Sequence, residues 1–221
     1  MKKLIVLSAF VLLIWSACTQ TPQLKGPVAL STAAFDTVLN GDSVTLYTLT
    51  NDSGMMVQLT NYGARIVALW VPDAAGEFKD VVLGYESIAE YLSSTDHFCG
   101  PIVGRYGNRI NKGTFTLDDK TYHLTINDGE NHLHGGVHGF WDKVWIAHPV
   151  NNSTVAMSYM SAAGEEGYPG NLAITVTYTL TQDNTLKIEY QATTDSATIL
   201  NPTSHSYFNL HGTTAGSTNT H

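Results

Sequence analysis

Leu172-Ala-Ile-Thr-Val-Thr-Tyr-Thr-Leu180 decides the fold class. Leu172, Ile174, Val176, Tyr178 and Leu180 fall on one side of an extended chain, and Ala173, Thr175, Thr177 and Thr179 on the other. That two-residue period is the mark of a strand with one face in a core. Thr181-Gln-Asp-Asn184 is a turn signal, and a second alternating run, Leu186–Thr194, follows it. Working back toward the N-terminus, similar runs cover Ser43–Thr50, Met56–Thr60, Arg65–Val71, Thr114–Leu117 with Thr121–Ile126, and Thr154–Ser161. Asn40-Gly41-Asp42, Asn51-Asp-Ser-Gly54 and Leu117-Asp-Asp-Lys120 separate several of them, spacings that suit hairpins in a sandwich. One helical turn is expected at Ile88–Leu92, capped by Ser87. The fold class is therefore all-β, with antiparallel hairpins spaced as in a β-sandwich.

The bulk numbers agree. The chain has 221 residues, 43% of them hydrophobic, with only 14% charged and 19 glycines, enough for one good core. A formal charge of −8 without a basic stripe gives no electrostatic footprint for nucleic acid. Residues 1–18 read as a signal peptide: Lys2 and Lys3 form a basic start, Leu4–Trp15 an apolar run, and Ser16-Ala17-Cys18 a lipobox-like end. The apolar run is shorter than the ~20 residues of a membrane span. Export to the periplasm or cell envelope is expected, with Cys18 as lipidation site and the only route to a membrane. Residues 19–27 form a polar tether, and folded structure is expected from Val28. With Cys18 lipidated, Cys99 has no disulfide partner and reads as a buried small hydrophobe. The chain ends on His211-Gly-Thr-Thr-Ala-Gly-Ser-Thr-Asn-Thr-His221, a loop rather than a tied-down element, so the domain is expected to be C-terminally incomplete.

Two stretches carry chemistry. In Asn201-Pro-Thr-Ser-His-Ser-Tyr-Phe-Asn-Leu210, strand alternation puts His205, Tyr207 and Asn209 on one face. In Asn131-His-Leu-His-Gly-Gly136, a histidine precedes a double glycine. An imidazole can give or take a proton near neutral pH, so His205 and His134 are candidates to converge on a small polar ligand, of which a sugar is the simplest. Gly104-Arg-Tyr-Gly-Asn-Arg-Ile-Asn-Lys-Gly113 adds Arg105 and Arg109 on a pliable backbone, and an arginine fork can hold hydroxyls. Other readings compete. His132, His134 and His138 could form a metal cluster of cupin type, but the double glycine interrupts the strand and no suitably spaced carboxylate follows. Glu165-Glu166 reads as a solvated turn, with a ligand-rim contact through Tyr168 as the alternative, and Trp141, Trp145 and Tyr122 read as core rings, with stacking on a sugar as theirs.

Taken in order, Asn61-Tyr-Gly-Ala-Arg65, Asp80-Val-Val-Leu-Gly-Tyr85, Gly104-Arg-Tyr-Gly-Asn-Arg-Ile110, Asn131-His-Leu-His-Gly-Gly136, Gly139-Phe140 with Trp145, Glu165-Glu-Gly-Tyr-Pro-Gly170 and Asn201–Leu210 resemble the aldose 1-epimerase (galactose mutarotase) family from about Val28 onward. The resemblance implies the galactose mutarotase-like supersandwich fold and the interconversion of α and β anomers of a free aldohexose without cofactor or metal. It implies His205 as general acid toward the ring oxygen, His134 as a sugar hydrogen-bonding partner beside it, and Asn108 and Arg109 as holders of hydroxyls. It further implies that Ser206 and Tyr207 line the same site. It selects Arg109 over Arg105. It also implies a glutamate base that no residue of this sequence matches, so the chain by itself is expected to be a poor or inactive epimerase. A non-catalytic carbohydrate-binding lipoprotein is the alternative. The low charge suits a neutral sugar rather than a hexose phosphate.

Overall fold

In the computed structural model, which describes residues 26–215, two four-stranded antiparallel sheets share one core. The leader, Cys18 and most of the tether lie outside the described residues. A short hairpin, β1 (Thr37–Leu39) and β2 (Asp42–Val44), precedes the first sheet. Its turn residues Asn40 and Gly41 have φ of 53° and 95°, the left-handed pair that a two-residue hairpin turn demands. The first sheet is β3 (Leu46–Thr50), β4 (Met56–Thr60), β5 (Arg65–Pro72) and β6 (Phe78–Asp80), in that order. The run expected over Ser43–Thr50 breaks at Thr45, because its N–H donates to Asn61 Oδ1 and its hydroxyl to Asp36 instead of continuing a ladder.

Helix α1 (Ile88–Ser93) starts at Ser87 with a reciprocal cap: Glu90 N–H donates to the Ser87 hydroxyl, and the Glu90 carboxylate accepts the Ser87 N–H. The middle of the chain supplies short pieces: β7 (Ile102–Val103), β8 (Arg109–Ile110), β9 (Thr114–Leu117), β10 (Lys120–His123) and β11 (His132–Leu133). The second large sheet is β12 (Ile146–Asn151), β13 (Thr154–Ser161), β14 (Leu172–Leu180) and β15 (Leu186–Thr194). Finally β16 (Thr203–Ser204) returns to pair antiparallel with β7.

The sandwich core forms where the inward faces meet. Leu172, Ile174, Val176, Tyr178 and Leu180 of β14 are all buried against Leu49, Val57, Leu59, Ile66 and Leu69 of the first sheet, with Val155 and Met157 of β13 beside them. β4 is buried on both faces. Its other face meets the N-terminal segment, where Gln58 Oε1 accepts the Leu30 N–H. A bulge at Val67 lets Ile66 and Leu69 face the sandwich while Val67 joins a second cluster with Phe35, Val44, Tyr91 and Cys99. Cys99 is thus the buried small hydrophobe that its context suggested. Among the described residues β15 is the last strand of its sheet.

Truncating the inward Ile174 to Ala should cost about 2–5 kcal/mol, whereas Thr175→Ala on the opposite face should stay within about 1 kcal/mol. Urea unfolding midpoints of the two variants check the assignment of faces.

Candidate active site

The pairing of β16 with β7 and of β11 with β8 brings the two histidine stretches together. His205 N–H donates to Pro101 O at 2.8 Å, and Gly100 N–H donates to His205 O at 3.2 Å. On the other side, His134 N–H donates to Asn108 O at 3.1 Å, and Asn108 N–H donates back to His134 Nδ1 at 2.9 Å. The two imidazoles then stand 4.8 Å apart, centroid to centroid, nearly perpendicular. Phe98 touches both, and Tyr207 packs 5.1 Å from His205.

The Asn108 amide fixes the state of His134. Because Nδ1 accepts a hydrogen bond, the ring proton sits on Nε2, which presents a donor to a ligand. Burial, reinforced by neighbouring His205 and Arg109 and partly opposed by Asp128, pushes the His134 pKa down to about 4. His134 is therefore neutral at pH 7 and acts as a fixed donor.

Both residues of this contact are left-handed, with φ of 53° at His134 and 65° at Asn108. The double glycine permits the geometry. A Cβ on Gly135 would stand 1.5 Å from Gly104 O, and one on Gly136 would stand 2.1 Å from the Glu166 carboxylate. That carboxylate accepts the N–H groups of Val137 and His138 at 3.1 and 2.8 Å, pinning the loop after the glycines.

Arg109 is exposed on β8, where Nε reaches Asp128 Oδ2 at 2.6 Å and the Asn108 side chain accepts the Arg109 N–H. Asn108 is likewise exposed, Ser206 is half-buried with its hydroxyl 3.4 Å from that of Ser204, and Tyr207 is 44% exposed. The structure thus brings His134, His205, Asn108, Arg109 and Tyr207 into one cluster. Arg105 is different: buried, it spends its whole fork on Ser161 Oγ and the carbonyls of Ser161, Ala162 and Pro169.

Several sequence expectations are corrected. The strand-like alternation of 201–210 stops after Ser204. His205 and Tyr207 do keep one face, but Asn209 is fully buried while Phe208 and Leu210 are 49% and 68% exposed. Asn209 turns inward because its N–H bonds Val81 O and its Oδ1 caps the His211 N–H. The three histidines of the competing metal reading are engaged separately. His132 is buried, donating from Nδ1 to Thr125 O and accepting the Tyr168 hydroxyl at Nε2, while His138 Nδ1 meets Asp142. Tyr168 is accordingly no ligand rim. Nor is Glu165-Glu166 a solvated turn: burial would raise the Glu165 pKa, but hydrogen bonds from Lys143, Ser161 and Tyr159 outweigh it and hold the carboxyl low.

The family model described as aldose 1-epimerase matches residues 45–221. This chain belongs to the aldose 1-epimerase family. The galactose mutarotase of Sus scrofa is 48% identical over 158 residues, covering 72% of this chain and 45% of the pig protein. The galactose mutarotase of Homo sapiens is 44% identical over 181 residues, covering 82% and 52%. The crystal structure of galactose 1-epimerase from Lactobacillus acidophilus superposes with a TM-score of 0.71 at 32% identity, covering 80% of this chain and 52% of that one. The mostly-β antiparallel architecture is thus the galactose mutarotase-like fold, and the chain spans about half the length of the curated relatives it matches.

Two outcomes follow from this geometry. Gly135→Ala should destabilise by about 2–5 kcal/mol through overlap and left-handed strain, read by thermal melting. Because the His134 pKa is lower in the fold than the ~6.5 of an unfolded histidine, its contribution to stability is present above pH ~6.5 and is lost as pH falls through about 4. His134→Gln should flatten that part of the stability–pH curve in urea titrations.

Proposed function

We propose that this chain carries the sugar-binding and general-acid half of an aldose 1-epimerase site. The observation that carries the reading is the His134–His205 pair. One imidazole is held neutral as an Nε2–H donor by the Asn108 amide, and the other stands 4.8 Å away, perpendicular to it. Opening a pyranose needs a proton delivered to the ring oxygen while the C1 hydroxyl loses one. Rotation about C1–C2 and reclosure on the other carbonyl face then give the other anomer. In this reading His205 delivers the proton, and His134 donates a hydrogen bond near the same oxygen, which disperses charge as the C1–O bond breaks. Arg109 and Asn108 hold hydroxyls at the rim, with Ser206 and Tyr207 beside them.

Among the described residues no carboxylate is hydrogen-bonded to either imidazole. Asp128, the carboxylate bonded into the site, is already engaged by Arg109 Nε. We therefore infer that the 221-residue chain binds a free aldohexose but equilibrates its anomers slowly. Export and a lipid anchor at Cys18 belong to the same proposal.

Titration with galactose or glucose should shift the side-chain NMR signals of His134 and His205 together, and Arg109→Ala should weaken the apparent affinity by about tenfold or more. Unmoved imidazoles at hundreds of millimolar sugar, on the order of the weakest useful affinities, would sink the sugar assignment. Rapid mutarotation by the chain alone, followed by polarimetry, would show that the base is already present.

A further inference from the structure

We propose that Phe98 is a positioning residue of this site, its ring setting the mutual geometry of the two imidazoles and keeping water from the edge they share. This inference rests on the sugar reading for its purpose but not for its test. The rings of Phe98, His134 and His205 make a closed triangle. Phe98 is 4.7 Å from His134 and 5.7 Å from His205, and the two histidines are 4.8 Å from each other. No backbone hydrogen bond joins His134 directly to His205: one is tied to Asn108 and the other to Pro101 and Gly100. The Phe98 ring packs on both, so it fixes the angle between them.

Phe98 is itself held from behind. Its ring meets Trp141 edge-on at 5.7 Å, and the adjacent His97 stacks on Trp141 at 4.9 Å. Beneath them the fully buried Arg65 donates from Nη2 to His97 O at 3.2 Å and to Trp141 O at 3.4 Å. Its guanidinium lies 4.4 Å over the Tyr91 ring. Two residues on, Gly100 joins Ile66 N–H to its own carbonyl and His205 O to its N–H. The segment 97–100 is thereby clamped between β5 and the His205 stretch. An apolar ring in that place does what a hydrogen-bonding side chain cannot: it excludes solvent without offering the imidazoles a competing partner.

The titratable and charged groups around the pair are Arg109 and Asp128 at the β8 side, and Tyr207 with Asp96 at the His205 side. Burial is the largest cause of the low His134 pKa, and Phe98 is one of the two rings packed on it. Removing the ring admits water without altering any of those charges.

The test uses the 221-residue chain and no sugar. Imidazole 15N and 1H signals of His134 are followed against pH in the parent, Phe98→Ala and Phe98→Tyr, with the buried His132 as internal reference. In Phe98→Ala the His134 titration should rise by about one pH unit or more, and its Nε2–H tautomer should lose exclusivity. Phe98→Tyr, which keeps the ring, should stay within a few tenths of a unit of the parent, roughly the scatter of unperturbed groups. An unmoved His134 in folded Phe98→Ala, or an equal shift in both variants, overturns the proposal. If Phe98→Ala does not fold, Phe98→Leu replaces it: a partial rise is expected, and an unchanged titration overturns the proposal equally. Failure of the sugar titration with this shift intact would remove the sugar reading and leave the role of Phe98 standing.

Discussion

The hydrogen bond from the Asn108 amide to His134 Nδ1, returned by the His134 amide to Asn108 O, is the contact on which the site depends. It couples backbone to ring, so the conformation of two left-handed residues decides which nitrogen of His134 carries a proton. A free histidine exchanges between tautomers and titrates near neutrality. This one does neither over the physiological range. The requirement propagates outward: the left-handed turn needs Gly135 against Gly104, and the loop beyond it needs Glu166 to collect its amides.

Much of the polar chemistry of the middle segment is spent on this frame. Arg105, Glu165, Glu166, His132 and Tyr168 lie among backbone carbonyls, amides and one another. Buried polar groups are costly unless every donor and acceptor is matched, and matching them makes the segment 131–170 a rigid seat. Arg65 departs from that rule, since its Nε and Nη1 find no hydrogen-bond partner. The Tyr91 and Tyr62 rings, 4.4 and 5.2 Å from the guanidinium, offset part of that cost through their π faces.

The long strands were legible in the sequence because β13 and β14 have one wet and one dry face, which alternation reports directly. β12 was not. Pro149 interrupts it, its residues are mostly exposed, and its register shifts between Pro149 and Asn151, so the edge strand shows no period to read. Of the site, the histidines stood out because nothing in a core asks for them. Phe98 did not, since an aromatic residue is equally expected in any core, and only its position between two imidazoles distinguishes it. Glu166 was misread for the complementary reason: adjacent acids between glycines look like a surface turn, and the Val137 and His138 amides that donate to Glu166 are far away in sequence.

The return of β16 onto β7 joins Thr203 to Val103, a closure across roughly a hundred residues whose entropy must be met before the contact rewards it. During synthesis, then, the whole second sheet leaves the ribosome while β7 still waits for its mate. His134 acquires its neighbour only at the end of that wait. The His134–His205 pair therefore comes together only after the strands of both large sheets have been made.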